Sequence, residues 1–406
     1  MREDNQLNLT TFEEQAAYLM NGGAEVLPSG KNALIEKLKE ASERGQPLRV
    51  KLGIDPTGAD LHLGHTVCLQ VLRRFQTLGH QAVLLIGGFT AQLGDPTGRN
   101  EARPPLTEVQ VSENAKTFLE QVKQVIDLER TEIVNNANWL STLTLGEVLK
   151  LASTTTVNQL IGKEAFGERI ESGNPLYLHE IFYPILQGYD SVAIRADIEI
   201  GGQDQRFNVL AGRDLQRYFG QKAQAVLLMP LLIGLDGKKK MSKTSDNYIA
   251  LHDSPSEMFG KTMSLPDEQL LNWFALCTDS STREIEDIKH KLASGQVNPR
   301  DIKMQLGEKI VTLYYSPEAA QAAKDDFIAK FQKREIPDSM PEFKLESNKN
   351  IVDVLVEASL VESKGEAKRL IAGQGVKVNS SKATLETPLK CGDVLQVGKR
   401  KFIRLV

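Results

Sequence analysis

Two short segments of this chain hold side chains whose types and spacing suit phosphate chemistry. In His62-Leu63-Gly64-His65, two imidazoles stand three residues apart with a glycine between them. At a strand-to-helix turn they can donate hydrogen bonds toward an anion that also feels the helix N-terminus, and Gly64 lets a flat ring approach the backbone. Such a pair suits a nucleotide whose α-phosphate gains charge during displacement. A bare pair of histidines could equally be half of a metal site, yet no cysteine or carboxylate stands at ligand spacing, so no protein-bound metal is expected. The second segment is Lys238-Lys239-Lys240-Met241-Ser242-Lys243-Thr244, with four lysines in six residues. A run like this is usually a solvated loop. It is also what a polyphosphate leaving group requires, because its charge must be balanced in the transition state and released afterwards.

The surrounding elements put both segments at strand ends. Arg49–Asp55 alternates Val50, Leu52 and Ile54 in strand fashion and stops at the turn cluster Asp55-Pro56-Thr57-Gly58. A helix is expected from Thr66, where Val67, Val71, Phe75 and Leu78 recur at helical spacing and Gly79 stands at a left-handed C-cap. Gln81–Gly88 is an apolar run suited to a strand buried on both faces. Strand, helix and strand in this order form a right-handed βαβ unit with a parallel sheet. Residues 1–48 read as a helical lead-in. Helices are expected near Glu108–Leu128, Leu145–Lys163 and Tyr177–Tyr189, and strands at Glu132–Asn135, Ile198–Ile200 and Ala225–Leu232. In an open α/β domain of this kind, ligands bind beyond the carboxyl ends of the strands. From about Ser254 the pattern turns helical and charged, with amphipathic stretches at Asp267–Leu276, Arg283–Leu292, Asp301–Tyr314 and Pro317–Phe331. Residues 335–347 read as a linker, with Pro337 and Pro341. Two helices and the short strands GVKVN, DVLQVG and KFIRLV then suggest a small α+β domain over residues 348–406.

Composition narrows the class. The length of 406 residues predicts two to four domains. With 41% hydrophobic and 25% charged residues, the chain is an ordinary globular sequence rather than a disordered or fibrous one. The longest apolar run, Ala225–Leu235, carries Pro230 and is too short for a membrane span. The polar start MREDNQLNLT lacks the pattern of a secretory signal. Cys68, Cys277 and Cys391 are odd in number and far apart, so a cytoplasmic setting is expected. Net charge is −4, but Asn348–Val406 holds eleven Lys/Arg against six Asp/Glu, which makes it +5 and leaves −9 for the rest. A basic tail rides on an acidic body.

The H-x-G-H and K-M-S-K-T pair is the signature of class I aminoacyl-tRNA synthetases, and over nearly its full length the chain resembles the bacterial tyrosyl-tRNA synthetases. The blocks GIDPTGADLHLGH (Gly53–His65), GDPTGRNEARPPLT (Gly94–Thr107), YPILQGYD (Tyr183–Asp190), GGQDQRFN (Gly201–Asn208) and KMSKT (Lys240–Thr244) match in order and spacing. The tail from Ile351 resembles a small RNA-binding module first seen in a ribosomal protein. The resemblance implies a Rossmann-like catalytic domain over 1–253, an all-helical anticodon-recognition domain over 254–334, the linker, and the RNA-binding tail.

It also implies two steps: tyrosine and ATP give tyrosyl-adenylate and pyrophosphate, and the acyl group then moves to the terminal ribose of tRNA(Tyr). ATP enters as a substrate with Mg2+ carried on it. By the same resemblance His62 and His65 contact the α-phosphate and nucleotide, and Lys240, Lys243 and Thr244 clamp the pyrophosphate. Asp55, Thr57, Gly64, Gly202 and Asp204 belong with the nucleotide, and Gln205 lies near the reacting carboxylate. Asp95, Tyr183 and Gln187 would receive the ammonium group, and Asp190 would accept a hydrogen bond from the phenol. Tyr183, Gln187 and Asp190 are four and three residues apart, so one helix face can present all three. Lys51 departs from the pattern: it stands where the better-known branch has a second tyrosine touching the phenol, and it could point outward or pair with a carboxylate. Arg99 and Arg103 match positions near a phosphate-side loop. A homodimer is expected, with Val109–Leu128 and Trp139–Ile161 as interface helices. The competing readings are a tryptophan-specific synthetase, a small nucleotidyltransferase, and a catalytically dead, synthetase-derived RNA-binding protein.

Overall fold

The computed structural model describes residues 9–58, 60–96, 106–162, 164–333, 340–345, 349–379, 381–398 and 401–406. Arg99 and Arg103 lie outside them. The chain divides into two compact units, Met1–Ala322 and Ala323–Val406.

The first unit is built on a six-stranded sheet: β1 (Glu25–Leu27), β2 (Arg49–Ile54), β3 (Gln81–Ile86), β4 (Thr131–Asn135), β5 (Ile198–Gly202) and β6 (Ala225–Met229). Its order is β1-β6-β5-β2-β3-β4. Only β1 is antiparallel, to β6; the other neighbours run parallel. The chain winds from β2 outward to β4 and then returns to place β5 on the other side of β2. The β2/β5 junction is therefore the point where connections diverge and a crevice opens.

Several sequence expectations change in physical detail. The lead-in is not all helix, because three residues, too few to show a period, add β1 at the sheet edge. Strand β2 does not alternate: Val50, Lys51 and Leu52 are all buried, as both faces of a parallel sheet are covered. The helix expected from Thr66 begins at Leu63 and runs to Thr77. It ends as expected, with Gly79 at φ +83° and the His80 N–H donating to the Phe75 carbonyl at 3.0 Å. The helical stretch after Thr144 breaks into Leu145–Ala152 and Val157–Ile161 because Thr144 and Thr156 each cap a new start, closing capping boxes with Glu147 and Gln159. The helix after Glu108 stops at Val122, short of Leu128.

The helices Pro255–Met263, Leu270–Cys277, Thr282–Ala293 and Pro299–Tyr314 belong to the first unit. Pro255 and Pro299 sit in first turns, where a missing N–H leaves nothing unsatisfied.

The second unit has its own sheet: β7 (Glu342–Phe343), β8 (Val376–Val378), β9 (Ser381–Lys382), β10 (Val394–Val397) and β11 (Lys401–Leu405), in the order β7-β11-β10-β8-β9. Helices Ile351–Glu357 and Lys364–Ala372 share a core with it through Ile351, Leu355, Ile371, Leu395 and Ile403. Within the stretch read as a linker, Glu342–Phe343 is an edge strand paired in parallel with β11.

Candidate active site

The ends of β2, β3 and β5 open into a cleft of about 1270 Å³. Arg99 and Arg103 aside, the site residues expected from sequence all line it: Asp55, Thr57, His62, Gly64, His65, Asp95, Tyr183, Gln187, Asp190, Gly202, Asp204, Gln205, Lys240, Lys243 and Thr244.

The two histidines form the first turn of the Leu63–Thr77 helix rather than a loop ahead of it. His62 is the N-cap, and its Nδ1 accepts from the Gly64 N–H at 3.2 Å; the His65 Nδ1 accepts from the His62 N–H at 3.2 Å. Two imidazoles thus do the work usually done by Ser/Thr and Glu in a capping box. Because each Nδ1 is an acceptor, each neutral ring carries its proton on Nε2 and can donate there. Burial holds His62 down to about 2 and His65 to about 4, with the Lys243 charge adding to both. At neutral pH they are neutral donors, not cations. A Cβ on Gly64 would stand 3.0 Å from the His62 ring, so a side chain there would crowd the cap.

The lysine segment reaches the same place. Leu63 N–H donates to the Ile249 carbonyl, and Leu251 N–H to the Leu61 carbonyl. These bonds lash the chain after the lysines to the histidine turn. Met241 is buried, with its Cβ 3.6 Å from where a Gly64 Cβ would stand. Asn247 braces the loop, accepting from the Ser242 N–H at 2.9 Å and donating to the carbonyls of Lys239 and Lys240. Lys240 Nζ donates to Asp204 at 3.0 Å, and Lys243 Nζ lies 3.7 Å from Asp60. Both ammonium groups are half-exposed, so these pairs are weak and exchangeable.

Farther in, polar groups converge from three elements. Tyr183, on the Leu178–Ala193 helix, donates to Asp55 Oδ2 at 2.8 Å, and Thr90 donates to Asp55 Oδ1 at 2.7 Å. Burial and the carboxylates Asp55, Asp95 and Asp190 push the Tyr183 phenol well above its ordinary range, so it stays a donor. Gln205 donates to Asp95 at 2.8 Å. The Gln187 Oε1 is buried with no hydrogen-bond partner among the described residues. Asp190, one helical turn below, accepts from Trp139 Nε1 at 2.8 Å and Asn136 Nδ2 at 3.2 Å. Burial pushes its carboxyl up to about 7. Lys51 does not point outward: it is fully buried, with Nζ 2.9 Å from Glu199.

Sequence reasoning missed Thr90, Asn136, Trp139, Glu199 and Ser191, which support the site from elements far apart in the chain. One local signal was available. Gly87-Gly88, included above in the strand, instead forms the turn after β3, where a Cβ on Gly87 would stand 1.8 Å from Asp55 Oδ1 and 2.5 Å from Thr90 Oγ1. Gly87→Ala is therefore expected to displace Asp55 and raise the KM for the ligand that Asp55 serves by about 10–100-fold through lost charged hydrogen bonds. Steady-state kinetics checks this, with far-UV circular dichroism unchanged as the control. Among the described residues, no three His, Cys, Asp or Glu side chains are grouped to hold a metal, and no helix is long and apolar enough to cross a membrane.

Residues 43–332 match the family "tRNA synthetases class I (W and Y)", and residues 332–403 match the "Tyrosine--tRNA ligase SYY-like C-terminal domain". The tyrosine–tRNA ligase of Moorella thermoacetica is 47% identical over 395 residues, covering 96% of this chain and 95% of that one. That of Thermotoga maritima is 46% identical over 401 residues, with 97% and 98% covered. The chain belongs to the tyrosine–tRNA ligase family. Its fold is also that of a solved tyrosyl-tRNA synthetase from Archaeoglobus fulgidus, with a TM-score of 0.60 at 22% identity over 77% of this chain and 99% of the other. Tyrosine–tRNA ligases are class I synthetases and use ATP, and the cleft at the β2/β5 junction is where a Rossmann-like sheet offers a nucleotide site.

Proposed function

We propose that this cleft activates L-tyrosine with ATP and then charges tRNA(Tyr). A carboxylate oxygen of tyrosine attacks the α-phosphorus while the bond to the β-bridging oxygen breaks, giving tyrosyl-adenylate and pyrophosphate. The terminal ribose hydroxyl of the tRNA then attacks the carbonyl carbon, and AMP leaves. The carrying observation is that two imidazoles free to donate from Nε2 and two half-exposed ammonium groups line one cleft together with Tyr183, Gln187 and Asp190.

In this reading His62 and His65 donate to the α-phosphate as its charge grows. Lys240 and Lys243 exchange Asp204 and Asp60 for the β- and γ-phosphates, with Thr244 beside them, and Mg2+ arrives on ATP as part of the substrate. Thr57, Gly64, Gly202 and Asp204 serve the nucleotide. Asp55, tied to Tyr183, stands between nucleotide and amino acid. Asp95 and the unpartnered Gln187 oxygen accept from the ammonium group, Gln205 steadies Asp95 near the carboxylate, and Asp190 accepts from the phenol. Phenylalanine would leave that buried acceptor unpaired.

The helices of residues 254–334 are assigned to the anticodon, and the tail to the RNA backbone, supported by its +5 charge. Removing residues after 345 is expected to cut tRNA charging by about tenfold or more at physiological salt while sparing pyrophosphate exchange, since several phosphate contacts are lost. Parallel charging and exchange assays check this, and an equal fall in both would assign the tail a structural role instead. A homodimer fits the exposed apolar side chains Val109 (66%), Leu145 (74%), Leu149 (59%) and Val157 (62%) on the helices read as its interface. A cytoplasmic setting goes with the three free cysteines.

A further inference from the structure

Beneath the phenol end of the cleft lies a fully buried charge pair that the reading above does not use. Lys51 and Glu199 are cross-strand neighbours on β2 and β5. Lys51 Nζ meets Glu199 Oε1 at 2.9 Å and donates to Ser191 Oγ at 2.9 Å and to the Gln187 carbonyl at 3.2 Å. Ser191 and Gln224 both donate to Glu199 Oε2. A buried ion pair of this kind stabilises a fold little better than apolar residues of the same volume, so its presence at the floor of a binding cleft asks for another role. The two atoms that Lys51 grips on the Leu178–Ala193 helix belong to Gln187 and Ser191, which bracket Asp190.

The surroundings of Asp190 make the pair decisive. Lys51 from β2 and Glu199 from β5 are the charges that act on it, and Tyr183 on its own helix is the nearby titratable hydroxyl. Asn136 and Trp139 supply neutral donors. The Arg206–Tyr218 helix meets the Asp190 helix at Gly188 through Ala211, Gly212 and Leu215, none of them titratable. Resting on the tyrosine assignment above, we propose that Lys51 is a positioning residue for amino-acid specificity: it fastens the Gln187–Ser191 turn to the sheet, and with Glu199 it sets the field in which Asp190 receives the phenol. The two charges act oppositely. Lys51 favours the carboxylate and Glu199 disfavours it, while burial already holds the group near neutrality.

Lys51→Met, Glu199→Gln and the double variant test this. The readout is kcat/KM for tyrosine and for phenylalanine in amino-acid-dependent pyrophosphate exchange from pH 5.5 to 8.5. Because the ionised carboxylate is the stronger acceptor and the protonated form can accept only through its carbonyl oxygen, activity toward tyrosine is expected to rise with pH through the Asp190 titration. Lys51→Met is expected to move that limb up by about one pH unit, with about a fivefold loss at pH 7 that grows toward tenfold at pH 5.5, and a lower tyrosine-to-phenylalanine ratio. Glu199→Gln moves the limb down by less, and the double variant brings it back toward wild type from the Lys51→Met position without reaching it, because Lys51 acts on Asp190 more strongly than Glu199 does, with the KM for ATP unchanged throughout. Should Lys51→Met fail to fold, the downward shift in Glu199→Gln and its reversal in the double carry the test. Limbs that stay put, or singles that move together, would overturn the role of the pair while leaving tyrosine activation standing. A wild-type protein without tyrosine-dependent exchange would overturn both.

Discussion

Lys243→Met is expected to slow tyrosine-dependent pyrophosphate exchange by about 10²–10³-fold in kcat, with the KM for tyrosine within about twofold of wild type. Among the described residues the ion-pair partner of the ammonium group is the half-exposed Asp60, at a long 3.7 Å, a contact that a better anion can replace. It also lies close to the Asp55–Gly58 turn, since a Cβ on Gly58 would stand 3.3 Å from its Nζ. Charge builds on the departing pyrophosphate only as the bond breaks, so the loss belongs to the transition state and appears in kcat. Methionine keeps an unbranched chain one atom shorter and removes the charge. Lys238 is the internal control: it is exposed and does not line the cleft, so Lys238→Met should change kcat by less than about twofold, as surface substitutions away from a site do. Equal losses in the two variants would mean that the segment contributes only general positive potential.

Asp190→Asn is expected to lower kcat/KM for tyrosine by about 10²-fold while the KM for ATP stays unchanged. A hydrogen bond to a charged acceptor contributes about 1.5–3 kcal/mol, and the asparagine amide can present the wrong face to the phenol. Wild type should show an acid limb near pH 7 in kcat/KM for tyrosine, because the carboxyl is pushed up to about 7 and is the stronger acceptor once it loses its proton. That limb should be absent from Asp190→Asn. The histidines will not mask it: His62 and His65 are held down to about 2 and about 4, so neither titrates between pH 5.5 and 8.5. Initial-rate exchange kinetics across pH separates the two.

The parts of this site that were legible in the sequence are those whose chemistry is local. Motif residues at strand ends announce themselves because turn clusters such as Asp55-Pro56-Thr57-Gly58 and Asp236-Gly237 punctuate apolar runs, and Tyr183, Gln187 and Asp190 share a helix face by spacing alone. What was hidden depends on tertiary pairing. Nothing near Lys51 in the chain says that Glu199 will be its cross-strand neighbour, because that register follows from the return of β5 to the side of β2. Asn136 and Trp139 reach Asp190 from the end of β4, 54 and 51 residues away in sequence. The helix start was read three residues late for a related reason. Histidine is a poor statistical cap, and only the mutual bonds of His62 and His65 reveal that they form one.

The proposal that the imidazole donors and lysines act on one nucleotide, with Asp190 reading the phenol in the same cleft, is tested most directly by amino-acid-dependent exchange of labelled pyrophosphate into ATP. Tyrosine should support exchange, phenylalanine and tryptophan should support far less, and no tRNA should be needed. Exchange that no amino acid stimulates, or that tryptophan drives as well as tyrosine, would contradict it.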